Sequence, residues 1–241
     1  YAEKGLLEWK AFEAGNDILC FAENVEEGIE KILQNADEQQ IEESWLRVLQ
    51  LKEKAGLFDK RVTVPTTGFD FTEAGSLNSQ LAKNSITLIK NISENFPFKV
   101  EKNYALLKIG NPKSDIFCNQ LAEKENITKL SMHDAHQKIS DFDVVIVALF
   151  SPSVKPLNHF GLSEEERTLI QSLSEKTEVI LYLFGNPYVL DVLSGIEKAH
   201  TVVIVYQDFE SFQQVAINHF LGAETCYGKL PVKIKGFSYE E

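Results

Sequence analysis

The sequence predicts an α/β protein, a mostly parallel sheet with helices on both faces, and three observations carry that reading. Five apolar runs of strand length occur at Tyr104 to Ile109, Ile127 to Ser131, Val144 to Phe150, Val179 to Phe184 and Thr201 to Tyr206. Stretches with helical period separate and follow them, at Asp115 to Lys124, His133 to Ile139, Ser163 to Glu175, Tyr188 to Leu193 and Phe209 to Leu221. The strand runs are continuous in apolar character rather than alternating. Both faces of each strand must then be covered, which is the condition of parallel strands joined by right-handed helical crossovers.

The first 60 residues read as helix, strand, helix, helix. Glu3 to Glu13 places Leu6, Leu7, Trp9 and Phe12 on an apolar face, Gly15 stops that helix, and Asp17 to Phe21 is expected as a short buried strand. Val25, Ile29, Ile32 and Leu33 recur at helical spacing, and Ile41 to Ala55 forms a second amphipathic stretch ended by Gly56. One strand-and-helix unit cannot close a barrel, so residues 1–60 read as the last βα turn of a larger TIM barrel. Asp59 to Ser79 has Pro65, Gly68 and Gly75 and no period, as a linker would, and Leu77 to Ile89 turns helical again. The expected organisation is a barrel remnant over 1–60, a linker with bridging helix over 61–99, and the α/β domain over 100–241. Ser163 and Glu166 form an S-x-x-E capping box, with Leu162 placed to staple onto the next turn.

Composition excludes several function classes. With 24 basic and 36 acidic residues the net charge is −12, which repels nucleic acid and anionic membranes and leaves neutral substrates unpenalised. No apolar run reaches the length of a membrane span, and the N-terminus shows no basic region leading into an apolar core, so any targeting signal is expected upstream. Cys20, Cys118 and Cys226 lie far apart among apolar neighbours, as small buried hydrophobes do. His159, His200 and His219 are isolated, and neither G-x-x-x-x-G-K-[ST] nor G-x-G-x-x-G occurs. No cofactor and no metal are expected.

Five segments occur in a fixed order: AFEAGNDILCF (Ala11 to Phe21), WLRVLQLKEKAGLF (Trp45 to Phe58), LAKNSITLIKN (Leu81 to Asn91), LFGNPYVL (Leu183 to Leu190) and GKLPV (Gly228 to Val232). In that order the chain resembles the end of the barrel and the second, flavodoxin-like domain of glycoside hydrolase family 3, most closely its bacterial β-N-acetylglucosaminidase branch. The resemblance implies a parent enzyme that hydrolyses terminal β-linked N-acetylglucosamine through a covalent glycosyl-enzyme. It also places the family's nucleophilic aspartate and its His/Asp acid–base pair upstream of these residues. No catalytic residue is therefore expected in this chain, which would supply packing and the rim of a site for a β-linked amino-sugar glycan.

The residues themselves offer few rivals. Asp134 and His136 make an Asp-x-His in SMHDAHQK, but the Lys-His-Phe-Pro-Gly-His-Gly loop that precedes the family dyad is absent, and Asp134 suits the first turn of a surface helix. Asp17 is either a sugar ligand or a relay in an active site, or part of a Gly-Asn-Asp turn that satisfies backbone donors. Ser151 and Ser153 follow one strand and Asn186, in FGNP, follows another, at the carboxyl edge where α/β sheets place binding sites. Asp17, Ser151, Ser153 and Asn186 are the candidate substrate-rim residues. Pro187 can instead simply start a helix. Residues 1–58 would leave Leu6, Trp9, Phe12, Ile18 and Phe21 facing a missing barrel half, so packing onto the second domain through the Ile41 to Ala55 helix, docking to that half or self-association is expected. The alternative from another class is a stand-alone carbohydrate-binding or interaction α/β module, against which most aromatic residues fall inside apolar runs.

Overall fold

The computed structural model describes residues 3–58 and 72–237, apart from the side chain of His136, and the chain divides into two compact units, residues 1–68 and 69–241. The linker expected from Asp59 lies, as far as residue 71, outside the described residues.

In the first unit α1 (Leu6–Glu13), α2 (Val25–Asn35) and α3 (Glu38–Lys54) form where helical spacing places them. Asp37 caps α3 by accepting from the Gln39 amide. The expected strand at Asp17 to Phe21 does not form: the segment is a series of bends and turns, with Ile18 58% and Phe21 100% exposed. A strand exists only with a ladder partner, and the described residues of this unit supply none. The described part of the unit is thus helical, without the βα turn expected of it.

The second unit begins with α4 (Thr72–Ser85) and β1 (Thr87–Asn91). The helix expected through Ile89 therefore stops early, and the residues expected to bridge domains supply the sheet with an edge strand. Five strands follow: β2 (Tyr104–Ile109), β3 (Ile127–Leu130), β4 (Val144–Phe150), β5 (Glu178–Phe184) and β6 (Thr201–Ile204). The sheet order is β1-β6-β5-β4-β2-β3, with every pair parallel except β1 with β6. The α/β class and mostly parallel sheet expected from the sequence are what the chain forms.

Alternate residues of β2, β4, β5 and β6 feed two cores. On one face Leu106, Ile146, Ile180, Tyr182 and Val203 pack under α4, α5 (Ile116–Leu121) and α8 (Glu210–Phe220). On the other, Leu107, Val147, Leu181 and Ile204 pack under α6 (Met132–Lys138), α7 (Glu164–Lys176) and the short 3-10 turns after β5. All seven residues of β4 are buried. At roughly 1.5–3 kcal/mol for each fully buried large aliphatic side chain, this two-sided burial is the main source of stability. The Ser163–Glu166 capping box forms at the start of α7, as its spacing predicts.

One ionisable pair lies inside the first core. The Tyr182 hydroxyl and His219 Nδ1 are 3.0 Å apart, and burial holds the His219 imidazole down at about 4 against an ordinary 6.5. Between those values the unfolded chain binds a proton that the folded chain does not. Stability is therefore full above about pH 6.5 and is lost as pH falls toward 4, by at most about 3 kcal/mol for this shift. Urea midpoints measured across that window should fall with acidification, and His219→Phe should flatten the dependence.

Candidate functional site

The parallel strands alone run in the order β3-β2-β4-β5-β6. From β2 the chain steps to β3 on one side through α5, then crosses back past β2 to β4 through α6 on the opposite face. The direction reverses between β2 and β4, and a crevice opens outside the carboxyl ends of strands at such a switch point. Here a cavity of about 300 Å³ occupies that position, lined by the loops that follow β2, β4, β5 and β6. Its floor includes Phe150 and Phe184, stacked with centroids 4.3 Å apart.

Two glycines allow the loops to converge. Gly110 ends β2 at φ +84°, and a Cβ there would lie 2.0 Å from the Phe150 carbonyl oxygen. Gly185 follows β5 at φ +151°, where a Cβ would meet the Ser151 Cβ at 2.6 Å. Any other residue would either strain the backbone or push the β4 loop outward.

Ser151, Ser153 and Asn186, the rim residues expected from the sequence, do come together at this edge, but their side chains hold the loops. Ser151 Oγ donates to the Ser153 carbonyl at 2.7 Å, while Ser153 Oγ accepts from the Lys155 amide at 3.1 Å. Asn186 caps the Pro187–Val192 3-10 turn by accepting from the Tyr188 amide at 3.0 Å, and its amide group donates to the Val154 carbonyl at 3.3 Å. Beyond them Asn158, His159 and Phe160 all take positive φ, a run that the buried Phe160 ring anchors.

Asp17 lies in the other unit, in a bidentate pair with Arg47 at 2.8 and 2.9 Å. The Arg47 guanidinium holds its carboxyl below the usual range. Asp134 accepts from the Ser131 hydroxyl at 2.6 Å and from Lys138 at 2.9 Å, which bring its carboxyl down to about 2. Both carboxylates are committed to local structure.

The polar groups left open to the crevice are others. Asn111, Lys113, Gln207 and Asp208 line it, and their side chains have no partner among the described residues. The crevice is framed by a residue that does not line it. Gln213, on α8 and fully buried, accepts from the Phe117 amide at 3.0 Å and donates to the Ser114 and Asp208 carbonyls at 2.8 and 2.7 Å. One amide thus ties the β2–α5 loop to the β6–α8 loop. Sequence reading passed over all five, because an amide in an amphipathic helix and polar residues after a strand carry no spacing signal.

Removing the Gln213 amide leaves one buried N–H and two carbonyls short of a partner, each costing about 1–3 kcal/mol if water cannot enter. Gln213→Ala should lower stability by roughly 2–4 kcal/mol, and Gln213→Glu, which presents a carboxylate to two carbonyls, should cost more. Denaturant unfolding measures both.

No protein-family model and no curated protein sequence matches the chain. Solved structures do. A glycoside hydrolase family 3 β-N-acetylglucosaminidase from Paenibacillus sp. superimposes with a TM-score of 0.74 at 17% identity, over 98% of this chain and 48% of that one. A β-glucoside phosphorylase gives 0.75 at 18% identity, over 97% and 46%, and a β-glucosidase from Listeria innocua gives 0.64 at 18%, over 92% and 36%. The chain spans about half or less of the length of these proteins. It has the fold of the carboxyl-terminal portion of glycoside hydrolase family 3 enzymes.

Proposed function

We propose that this chain is the carboxyl-terminal portion of a family 3 glycoside hydrolase, the parent being a retaining β-N-acetylglucosaminidase that acts on terminal β-linked N-acetylglucosamine. The observation that carries the reading is the superposition over 98% of the chain on just under half of such an enzyme. The fixed order of five sequence segments supports it independently. A retaining glycosidase needs a nucleophile and a proton donor flanking the scissile bond. Asp17 and Asp134 are each held in an ion pair, so neither is poised for those roles. The part this chain plays is then packing and the outer rim of a site completed by barrel residues.

The first unit supports the same reading. Leu7, Ile18, Phe21 and Trp45 are each more than half exposed, an apolar surface of the kind that soluble proteins cover. Its occupant in this reading is the missing barrel half, or a second copy when that half is absent. Light scattering on the pure chain should show self-association that Phe21→Ser with Ile18→Ser reduces.

The chain alone should hydrolyse neither an aryl N-acetyl-β-glucosaminide nor an aryl β-glucoside, whereas one polypeptide that also carries the barrel should hydrolyse the first. Turnover by the chain alone, abolished by Asp17→Asn or Asp134→Asn, would place the active site here and overturn the proposal.

A further inference from the structure

The geometry points to a sprung lid in the loop that joins β4 to α7: residues 154–161 open as a unit, apart from the rest of the domain, when the Phe160 ring leaves the core. The inference rests on this loop alone and holds whatever the parent protein does.

The backbone supplies the spring. Asn158, His159, Phe160 and Gly161 take φ of 52°, 54°, 60° and 81° in succession. Residues with a Cβ visit this left-handed region singly, because there the Cβ crowds the following carbonyl, and asparagine or histidine tolerates it better than a bulky ring does. Phe160 is therefore the residue least suited to the turn. It is also the one that holds it: its side chain lies in the second core and is 2% exposed, while residues 154–159 before it are all exposed. Burial of one ring keeps the backbone in a conformation it would otherwise leave.

The two ends of the loop are firm. Ser151 Oγ holds the Ser153 carbonyl, and Leu162 is buried just before the capping box that starts α7. Between them the ties are few. The Ser153 amide donates to the Phe160 carbonyl at 2.9 Å, the Gly161 and Leu162 amides donate within the turn to the Asn158 and His159 carbonyls at 2.9 and 3.2 Å, and Asn186 reaches the Val154 carbonyl at 3.3 Å. Val154 and Leu157 stand 76% and 72% exposed, so they add little to what holds the loop down. Opening uncovers one ring and breaks the bonds from Ser153 and Asn186, and relaxation of the left-handed turn offsets part of that cost. It also carries Val154, part of the crevice wall, away with it.

The test is amide hydrogen exchange on the whole chain. The hydrogen-bonded amides of Ser153, Gly161 and Leu162 should exchange roughly a hundredfold or more faster than those of β4, because local openings lie well below the global unfolding free energy. His159→Gly, which relieves the turn at an exposed site, should slow exchange of these loop amides by about threefold. Gly161→Ala should speed it by about fivefold, since a Cβ there sits at φ +81° and 3.1 Å from the Pro152 Cβ. Phe160→Ala, which removes the plug, should leave the loop amides close to unprotected. If that variant does not fold, the substitutions at His159 and Gly161 still decide. Two results would overturn the inference: loop amides that exchange no faster than those of β4, so that the loop opens only with the whole domain, or loop exchange that either His159→Gly or Gly161→Ala fails to shift in the stated direction, so that opening does not relax the turn.

Discussion

The rest of the second unit follows from the burial of β4 on both faces. Seven consecutive apolar residues leave neither side of that strand for solvent, so helices must cover both. Covering both faces with right-handed crossovers forces the chain to travel in two directions from a starting strand, once along each face. The reversal falls between β2 and β4, and an open crevice there is a topological consequence of the core. The position of the site is set by burial, before any of its residues is chosen.

What burial does not settle is whether the crevice holds its shape. Loops at a sheet edge are ordinarily the mobile part of an α/β domain. Here their freedom is reduced from below, by a fully buried Gln213 that satisfies one main-chain carbonyl on each of two loops and the Phe117 amide at the start of α5, and by glycines whose missing Cβ atoms let main chains meet. Ser151, Ser153 and Asn186 belong to the same scaffold. Side chains so occupied hold the shape of the crevice, while Asn111, Lys113, Gln207 and Asp208 stay open to it.

The central strands β4, β5 and β6 were legible in the sequence because burial on two faces writes itself as an unbroken apolar run, and the start of α7 because a capping box has a fixed spacing. The edge strand β1 was not legible. Residues 87–91 read TLIKN after a helical stretch, and their burial keeps no alternation, with Thr87 buried, Leu88 and Asn91 exposed and Ile89 and Lys90 half-buried, so neither period is clear. Antiparallel pairing with β6 decides their conformation, and that partner lies more than a hundred residues away. The crevice was legible as a place but not as a set of residues. Strand ends can be counted along the chain, whereas which polar groups are occupied depends on contacts such as Gln213 with Ser114, which no local pattern encodes.

The segment Asp17–Phe21 shows the same dependence from the other side. Its sequence, DILCF, has the apolar character of a buried strand, and it does not become one because the described residues of this unit supply no strand to hydrogen-bond it. What fixes its start instead is an ion pair with α3: Arg47 clasps Asp17. A Glu8 carboxylate then receives the Asn24 amide at 3.0 Å and sets where α2 begins. Ile18 and Phe21 stay in solvent between these two anchors. The anchors are polar and come from other helices, Arg47 from α3 and Glu8 from α1, so they hold without a ladder, whereas an apolar run of this kind is buried as a strand only where strands pair beside it.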